Sequence, residues 1–114
     1  MVDCLFCKIA LGEIPAQIVY QDDDAVGFRD INPQAPVHVL VIPRRHITGF
    51  DAAAEQDEAL LGRLTRVVAR VAEQEAIADT GFRCVVNSGP DAQQSVPHLH
   101  FHVLGGRQMT WPPG

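Results

Sequence analysis

Apolar and polar residues follow a helical period through the middle of the chain. Between residues 51 and 78, large apolar side chains recur at intervals of three and four, at Leu60, Leu61, Leu64, Val67, Val68 and Val71. Such spacing places them on one face of a helix, with most of the charged residues on the other. The pattern predicts one long helix that begins at Asp51 or Glu55, continues to about Ala78 and lies on a sheet.

Strand-like segments flank this helix on both sides. Five strands are predicted, at residues 17–21, 25–30, 37–42, 82–87 and 98–104. The first two are joined by the acidic turn 22–24 and form a hairpin, and Pro43 closes the third, which is the richest in β-branched residues. A short apolar segment, residues 4–11, predicts one or two helical turns that end at Gly12 and Pro15.

The order of these elements predicts an α+β domain. Short connections between successive strands favour an antiparallel five-stranded sheet that the long helix covers on one face. No repeat or linker divides the 114 residues, so we expect a single domain over residues 1–114. Cys84 falls among apolar neighbours and is predicted to be a small buried residue.

Composition and charge narrow the functional class. The chain is 46% hydrophobic and 20% charged, which is typical of a soluble globular protein. Its net charge of -5 argues against a nucleic-acid or anionic membrane partner, whose phosphates are bound by lysine and arginine. The N-terminus has no apolar signal segment, and three cysteines, an odd number, suit a reducing compartment. We therefore expect a cytoplasmic protein.

The candidate chemistry lies in the last predicted strand. His98, His100 and His102 are three of the five histidines of the chain, and they alternate with apolar residues. Because successive side chains of a strand point to opposite faces, these histidines share one face. Three interpretations are open: a polar outer face, a metal site, or an imidazole nucleophile that attacks phosphorus. The preceding loop, residues 87–95, supplies neutral donors, which favours a phosphate.

The run from His98 to Leu104 fits the pattern His-φ-His-φ-His-φ-φ, where φ is apolar, and so resembles the histidine triad (HIT) superfamily. Similarity to its purine nucleoside phosphoramidase branch extends along almost the whole chain, through residues 6–9, 13–15, 28–36, 41–47 and 104–114. Gln93 and Pro97 depart from that branch, which usually has glycine at the first position and often a small or aromatic residue at the second. The resemblance implies a HIT-like fold and a homodimer with one ten-stranded sheet.

The resemblance also implies an activity, the hydrolysis of purine nucleoside 5′-phosphoramidates to a nucleoside monophosphate and an amine. By this resemblance His100 is the nucleophile that forms a nucleotidyl-histidine intermediate, and His102 contacts a non-bridging phosphate oxygen. His38, on the neighbouring strand, is expected to hold the imidazole cluster in its tautomers. Ser95 is expected to pass a proton to the departing nitrogen. No catalytic metal is expected.

A purine nucleotide site follows from the same resemblance. Asn87 and Gln94 match positions that bind the phosphate or the leaving group, and Asp30 matches the ribose ligand. The base pocket of the branch corresponds to the apolar residues Leu5, Phe6, Ile9, Phe28 and Ile31. The structural alternatives are ordinary turn chemistry for Asn87 and Ser95, a solvated strand end for Asp30, and plain core packing for the apolar residues.

The motif Cys4-x-x-Cys7 resembles the metal knuckle of many bacterial members of this superfamily. In those proteins, two thiolates join a histidine after the Val-Ile-Pro strand and the first histidine of the triad. The matching residues here are His46 and His98. Two sulfur and two imidazole ligands form a closed tetrahedral set, so the resemblance implies a structural zinc ion. Two free thiols near a helix start are the alternative.

The C-terminal residues 105–114 contain two prolines and are predicted to be neither helix nor central strand. The resemblance implies that this tail lies at the dimer edge and brings Trp111 to the partner's active site; a frayed tail is the alternative. Three other functions stay open: a dinucleoside polyphosphate hydrolase of the same superfamily, a nucleotide-binding or scaffolding protein with vestigial activity, and a zinc hydrolase with its metal on the histidine strand.

Overall fold

The computed structural model describes residues 3–114, so the first two residues of the predicted domain 1–114 lie outside the described part. Its main elements are α1 (Leu5–Ala10), β1 (Ile18–Gln21), β2 (Ala25–Arg29), β3 (Val37–Pro43), α2 (Glu58–Gln74), β4 (Phe82–Val86) and β5 (Phe101–Gly105). The strands form one antiparallel sheet in the order β1-β2-β3-β5-β4. The predicted α+β class, with five strands, one long helix and a short first helix, is confirmed.

The two faces of the sheet carry separate apolar clusters because side chains alternate along each strand. Under α2, the cluster includes Val39, Val41, Leu64, Val67, Val71, Leu99, Phe101 and Val103. On the other face, the cluster joins α1 to the sheet through Phe6, Ile9, Val26, Phe28, Leu40 and Ile42. The apolar residues that alternate with the triad histidines thus pack under α2, as predicted, and the histidines are left on the α1 face.

The long helix is shorter than predicted at both ends. Residues 50–57 form two 3-10 turns, Phe50–Ala52 and Glu55–Asp57, and α2 begins only at Glu58. The Asp57 carboxylate accepts the Ala54 N–H at 2.7 Å and pairs with Arg45, which stabilises the turn before the helix. At the other end, Ala76 has φ +60° and the Ile77 N–H bonds back to the Ala72 carbonyl, so the chain turns away before Ala78.

Two further expectations need correction. The last strand begins at Phe101 and not at His98, because the Leu99 N–H bonds to the Ile47 carbonyl at 2.6 Å, outside the β3 ladder. Cys84, predicted to be buried, is exposed, because β4 is an edge strand and α2 packs mainly on β2, β3 and β5. Within the described residues, no helix is long and apolar enough to span a membrane.

Candidate functional site

The ring of His100 has a defined tautomer. Its Nδ1 lies 2.7 Å from the His98 carbonyl oxygen, which can only accept, so Nδ1 carries the proton. The other nitrogen, Nε2, therefore presents a lone pair. The ring is 4% exposed and packs at 5.1 Å, edge to face, against Phe6. These contacts fix the orientation of the ring, which in its neutral form presents the Nε2 lone pair as a possible nucleophile.

A second chain of hydrogen bonds orients His102. The Gln34 backbone N–H donates to His38 Nδ1 at 3.0 Å, so the proton of His38 is on Nε2. His38 Nε2 donates in turn to His102 Nδ1 at 2.8 Å. His102 is left with an Nε2–H donor, and its ring centroid lies 5.1 Å from that of His100. A lone pair on one ring and an N–H on the next suit attack on a phosphorus whose oxygen is bound at the same time.

Burial keeps the His38 and His102 rings neutral. The pKa of His102 is lowered to about 4, chiefly by burial and then by the nearby His100 and His38 rings. The Asp30 carboxylate raises it by a smaller amount. Burial also lowers the pKa of His38, against the opposing charge of Asp30. Both rings are therefore uncharged near pH 7, and the chain of N–H donors is intact there.

We expect the low pKa of His102 to make stability pH-dependent. Below its ordinary pKa of 6.5 the unfolded chain binds this proton more strongly than the folded chain, so the free energy of unfolding falls as the pH drops from about 6.5 to about 4. Urea unfolding of wild type and His102→Gln across this range measures the effect. Other titrating groups affect both proteins alike, so the free energy of unfolding should fall more steeply with decreasing pH in wild type than in the variant. Parallel curves would contradict the low pKa of His102.

A cleft of about 350 Å³ opens beside His100 and His102. Its walls include all five predicted base-pocket residues, Leu5, Phe6, Ile9, Phe28 and Ile31, together with the predicted Asp30 and Ser95. Ile31 is fully exposed at the rim, whereas Phe6 and Phe28 are buried. The cleft is also lined by residues that the sequence pattern does not indicate, Ile14, Pro15, Ala16, Arg29, Leu40 and Val96. Leu40 could have been found, since it lies two residues after His38 on the same strand face.

Asp30 lies between the cleft and the histidine chain. It follows β2, and its Oδ2 is 3.4 Å from His38 Nε2. Its Oδ1 accepts the Asn32 backbone N–H at 2.8 Å. The carboxylate is thus held in one orientation at the cleft wall, with accepting capacity left for a ligand's hydroxyl groups.

The remaining predicted residues divide into two groups. Ser95 lines the cleft next to the two histidines, whereas Asn87 follows β4 and Trp111, 80% exposed, lies outside the cleft of its own chain. The guanidinium of Arg83 lies 5.9 Å from the centre of the Trp111 ring and donates to the Thr110 carbonyl at 3.1 Å. The structure therefore places Ser95 in the cleft that His100 and His102 line, and does not bring Asn87 or Trp111 into it.

Gln94 holds the loop that precedes the histidines. Its Oε1 accepts the Gly89 N–H at 3.1 Å, and its Nε2 donates to the Thr48 and Val96 carbonyls at 2.8 and 3.0 Å. Both donors of the carboxamide are therefore used by the protein, and its oxygen accepts one bond. Its direct effect is on the shape of the loop that carries Ser95.

Gln93 has φ +60°, a conformation that favours glycine, which is the residue expected there from the resemblance. We expect Gln93→Gly to stabilise the protein by up to about 1 kcal/mol, since relief of this strain outweighs the added freedom of the unfolded chain. Gln93→Ala, which keeps a Cβ, is the matched control and should give no such gain. Urea unfolding of the three proteins measures the difference, and equal stability of the glycine and alanine variants would contradict the explanation.

Cys4, Cys7, His46 and His98 form a compact cluster, with their ligand atoms all within 4.8 Å of one another. Cys4 caps the N-terminus of α1, Cys7 lies within it, His46 follows β3 and His98 precedes β5. His98 Nε2 donates to the Pro43 carbonyl at 2.8 Å, which leaves its Nδ1 without a proton and directed at the cluster. This contact selects the tautomer that a metal requires.

The spacing of the cluster fits a zinc ion. Zinc bonds of about 2.3 Å to sulfur and 2.0–2.1 Å to nitrogen place tetrahedral ligand atoms about 3.3–3.8 Å apart. Cys4 Sγ and Cys7 Sγ lie 3.3 and 3.5 Å from His98 Nδ1. Cys7 Sγ and His98 Nδ1 lie 3.3 and 3.2 Å from His46 Nδ1. A set of four protein ligands with no open position suits structural zinc.

Asp30, His38 and His102 form a second group of possible metal ligands. Their arrangement suits protons better than a metal. The 2.8 Å between His38 Nε2 and His102 Nδ1 is a hydrogen-bond distance and is shorter than the roughly 3.3 Å between two nitrogens on tetrahedral zinc. This geometry supports the expectation that the histidine chain acts without a metal.

Comparisons with known proteins match this architecture. The family model described as "HIT domain" matches residues 11–109. The chain is 52% identical to the 14 kDa zinc-binding protein of Brassica juncea, over 98% of this chain and all of the other. It is 51% identical to adenylylsulfatase HINT1 of Arabidopsis thaliana, over 96% of this chain and 76% of the other. The crystal structure of a HIT family hydrolase from Legionella pneumophila superimposes with a TM-score of 0.96 at 47% identity, over 98% of this chain and all of that one.

Proposed function

Because the chain belongs to the HIT-domain family, we propose that it hydrolyses purine nucleoside 5′-phosphoramidates to a nucleoside monophosphate and an amine. Relatives named as a HIT family hydrolase and an adenylylsulfatase support a hydrolase that acts on nucleotides. One observation carries the proposal furthest: the His100 and His102 rings lie 5.1 Å apart between centroids and line the same cleft, with His100 Nδ1 bonded to the His98 carbonyl and His102 Nδ1 bonded to His38.

The proposed reaction has two displacements at the α-phosphorus. His100 Nε2 attacks the phosphorus and the P–N bond to the amine breaks, which forms a nucleotidyl-histidine. The Ser95 hydroxyl, which lines the cleft, passes a proton to the leaving nitrogen, since an amide anion leaves poorly. Water then attacks the phosphorus and gives a proton back to the Ser95 oxygen, the bond to His100 breaks and restores its Nε2 lone pair, and the nucleoside monophosphate is released.

Different side chains are assigned to different parts of the phosphate and the leaving group. His102 Nε2–H donates to a non-bridging oxygen, and His38 keeps that proton on Nε2 through its hydrogen bond to Nδ1. Asn87, at the end of β4, is assigned to the phosphate or the leaving group. Gln94 acts at the same end of the substrate indirectly. It shapes the loop that precedes the histidines, because its amide is bonded to the backbone of Gly89 and Thr48.

The rest of the cleft suits a purine nucleoside. A carboxylate accepts from both ribose hydroxyl groups, which is the role assigned to Asp30. Beyond it, the walls are apolar and include the Phe6 and Phe28 rings, packed at 5.4 Å. A flat base requires large apolar walls and few hydrogen bonds, and Leu5, Ile9 and Ile31 complete such a surface.

Zinc is the protein's structural metal, and Cys4, Cys7, His46 and His98 are the residues that would hold it. When bound, the ion cross-links α1 to the segments that follow β3 and precede β5. With four protein ligands it has no open position for substrate or water. It therefore takes no part in the chemical steps, which are assigned to His100 and its neighbours.

We also propose a homodimer in which two copies of β4 pair to give a ten-stranded sheet. β4 is an edge strand with Phe82 and Cys84 exposed, and an unpaired edge is commonly covered in a stable protein. The tail, residues 105–114, would then bring the exposed Trp111 to the partner's cleft. Sedimentation should give a dimer mass, and a monomer at micromolar concentration would contradict the pairing.

No disulfide forms among the described residues, and Cys4 and Cys7 lie in the zinc set. Both features agree with a reducing compartment, and we propose a cytoplasmic location. Fractionation of cells that express the tagged protein tests this location. Recovery with secreted or membrane fractions would contradict it.

The direct test of function compares substrates. We expect the protein to release AMP from adenosine 5′-phosphoramidate faster than from a diadenosine polyphosphate, and to retain this activity in excess chelator while it stays folded. Preference for the dinucleotide would favour the related polyphosphate hydrolases. AMP binding without turnover of either compound would indicate a nucleotide-binding protein, and loss of kcat at saturating substrate from folded, chelated protein would indicate a catalytic metal.

A further inference from the structure

Helix α1 belongs to two sites at once. Cys4 and Cys7, at its N-cap and in its first turn, belong to the zinc set. The same helix also lines the proposed base pocket, through Leu5, Phe6 and Ile9. The helix is therefore the wall that separates the metal from the nucleotide.

This wall depends on outside support for its position. α1 has six residues, and isolated helices of this length are unstable in water. Its packing on Phe28, Leu40 and Ile42 is one anchor, and the approach of its two cysteines to His46 and His98 is the other. Filling the metal set thus fixes the helix that supplies the apolar wall of the cleft.

Two contacts extend this connection to the nucleophile. The Phe6 ring packs edge to face at 5.1 Å from the His100 ring and lies 6.0 Å from His98. The carbonyl of His98, a zinc ligand, also accepts the Nδ1–H of His100 at 2.7 Å. Because both contacts are direct, a shift of α1 or of His98 would move the His100 ring.

We propose that zinc and the purine nucleotide bind cooperatively, with α1 as the element that both require. This inference rests on the proposed nucleotide site. Binding linkage is reciprocal, so the factor by which zinc raises the affinity for AMP equals the factor by which AMP raises the affinity for zinc. We expect about tenfold in each direction, within the usual range of coupling between sites.

The experiment uses the zinc-loaded protein and AMP, the product, so that no turnover occurs. Calorimetry first measures AMP binding; zinc affinity is then measured by competition with a colorimetric chelator, with and without saturating AMP. We expect AMP to raise the zinc affinity about tenfold. AMP that binds without changing the zinc affinity would overturn the coupling and leave the proposed function intact. No AMP binding by the loaded protein would contradict the proposed function, and the coupling with it.

Two variants locate the connection. Phe6→Leu keeps all four zinc ligands but removes the ring contact with His100, so the coupling should fall below about threefold. Leu11→Ala is the matched control, because Leu11 follows α1, is 65% exposed and lies outside the cleft. It should keep the full coupling. Full coupling in Phe6→Leu would exclude the Phe6 contact as the connection.

Discussion

Replacing His100 with alanine should reduce the turnover of adenosine 5′-phosphoramidate by at least about 1000-fold, because the variant lacks the nitrogen that attacks phosphorus. Affinity for AMP should change far less, since the apolar walls and Asp30 remain. Steady-state kinetics and calorimetric titration with AMP measure the two effects separately. The alanine variant should also retain its zinc, because His100 contributes no ligand to the metal set.

The matched variant for this test is His102→Ala, which removes the donor assigned to a phosphate oxygen but keeps the nucleophile. Its turnover should fall by a smaller factor, about 100-fold, as for loss of one oxyanion donor. A His100→Ala protein that is folded, binds AMP and retains more than about a tenth of wild-type turnover would contradict the assignment of His100.

Replacing Cys4 with alanine should remove the zinc and destabilise the fold by more than about 3 kcal/mol, because structural zinc contributes its binding energy to folding. Cys4 is 2% exposed, caps α1 and lies 3.3 Å from His98 Nδ1. Elemental analysis gives the zinc content, and urea unfolding in zinc-containing buffer gives the free energy.

Cys84→Ala is the control for this substitution, since it makes the same chemical change at an exposed cysteine outside the metal set. It should keep one zinc per chain, and its loss of stability should be far smaller than that of Cys4→Ala. If Cys4→Ala also kept a full equivalent of zinc, or matched the stability of Cys84→Ala, the four-residue metal set would be wrong.

Local patterning predicts much of this fold. Strict alternation from His98 to Leu104 places the histidines on the face opposite α2, and the period of Leu60, Leu64 and Val67 identifies the long helix. The first residue of that helix cannot be predicted from its own segment, because Asp57 in the preceding turn pairs with Arg45 from another part of the chain. The exposure of Cys84 likewise depends on strand order, which no property of its own segment determines.

The site is predicted less completely, because its geometry depends on contacts with particular backbone groups, some of them distant in the sequence. The tautomer of His38 depends on the Gln34 N–H, and that of His98 on the Pro43 carbonyl, 55 residues away. Residue identity cannot show either contact. The same limit explains Gln94, whose amide suggests a ligand group but is engaged by three backbone partners.

Trapping the covalent intermediate tests the central proposal most directly. Wild-type protein is mixed with adenosine 5′-phosphoramidate, quenched in alkali within the first turnover, and examined by peptide mass spectrometry, with His100→Ala treated in parallel. We expect one adenylyl group on His100 in wild type and none in the variant. Turnover by wild type without a covalent adduct, or an adduct on a different residue, would contradict His100 as the nucleophile.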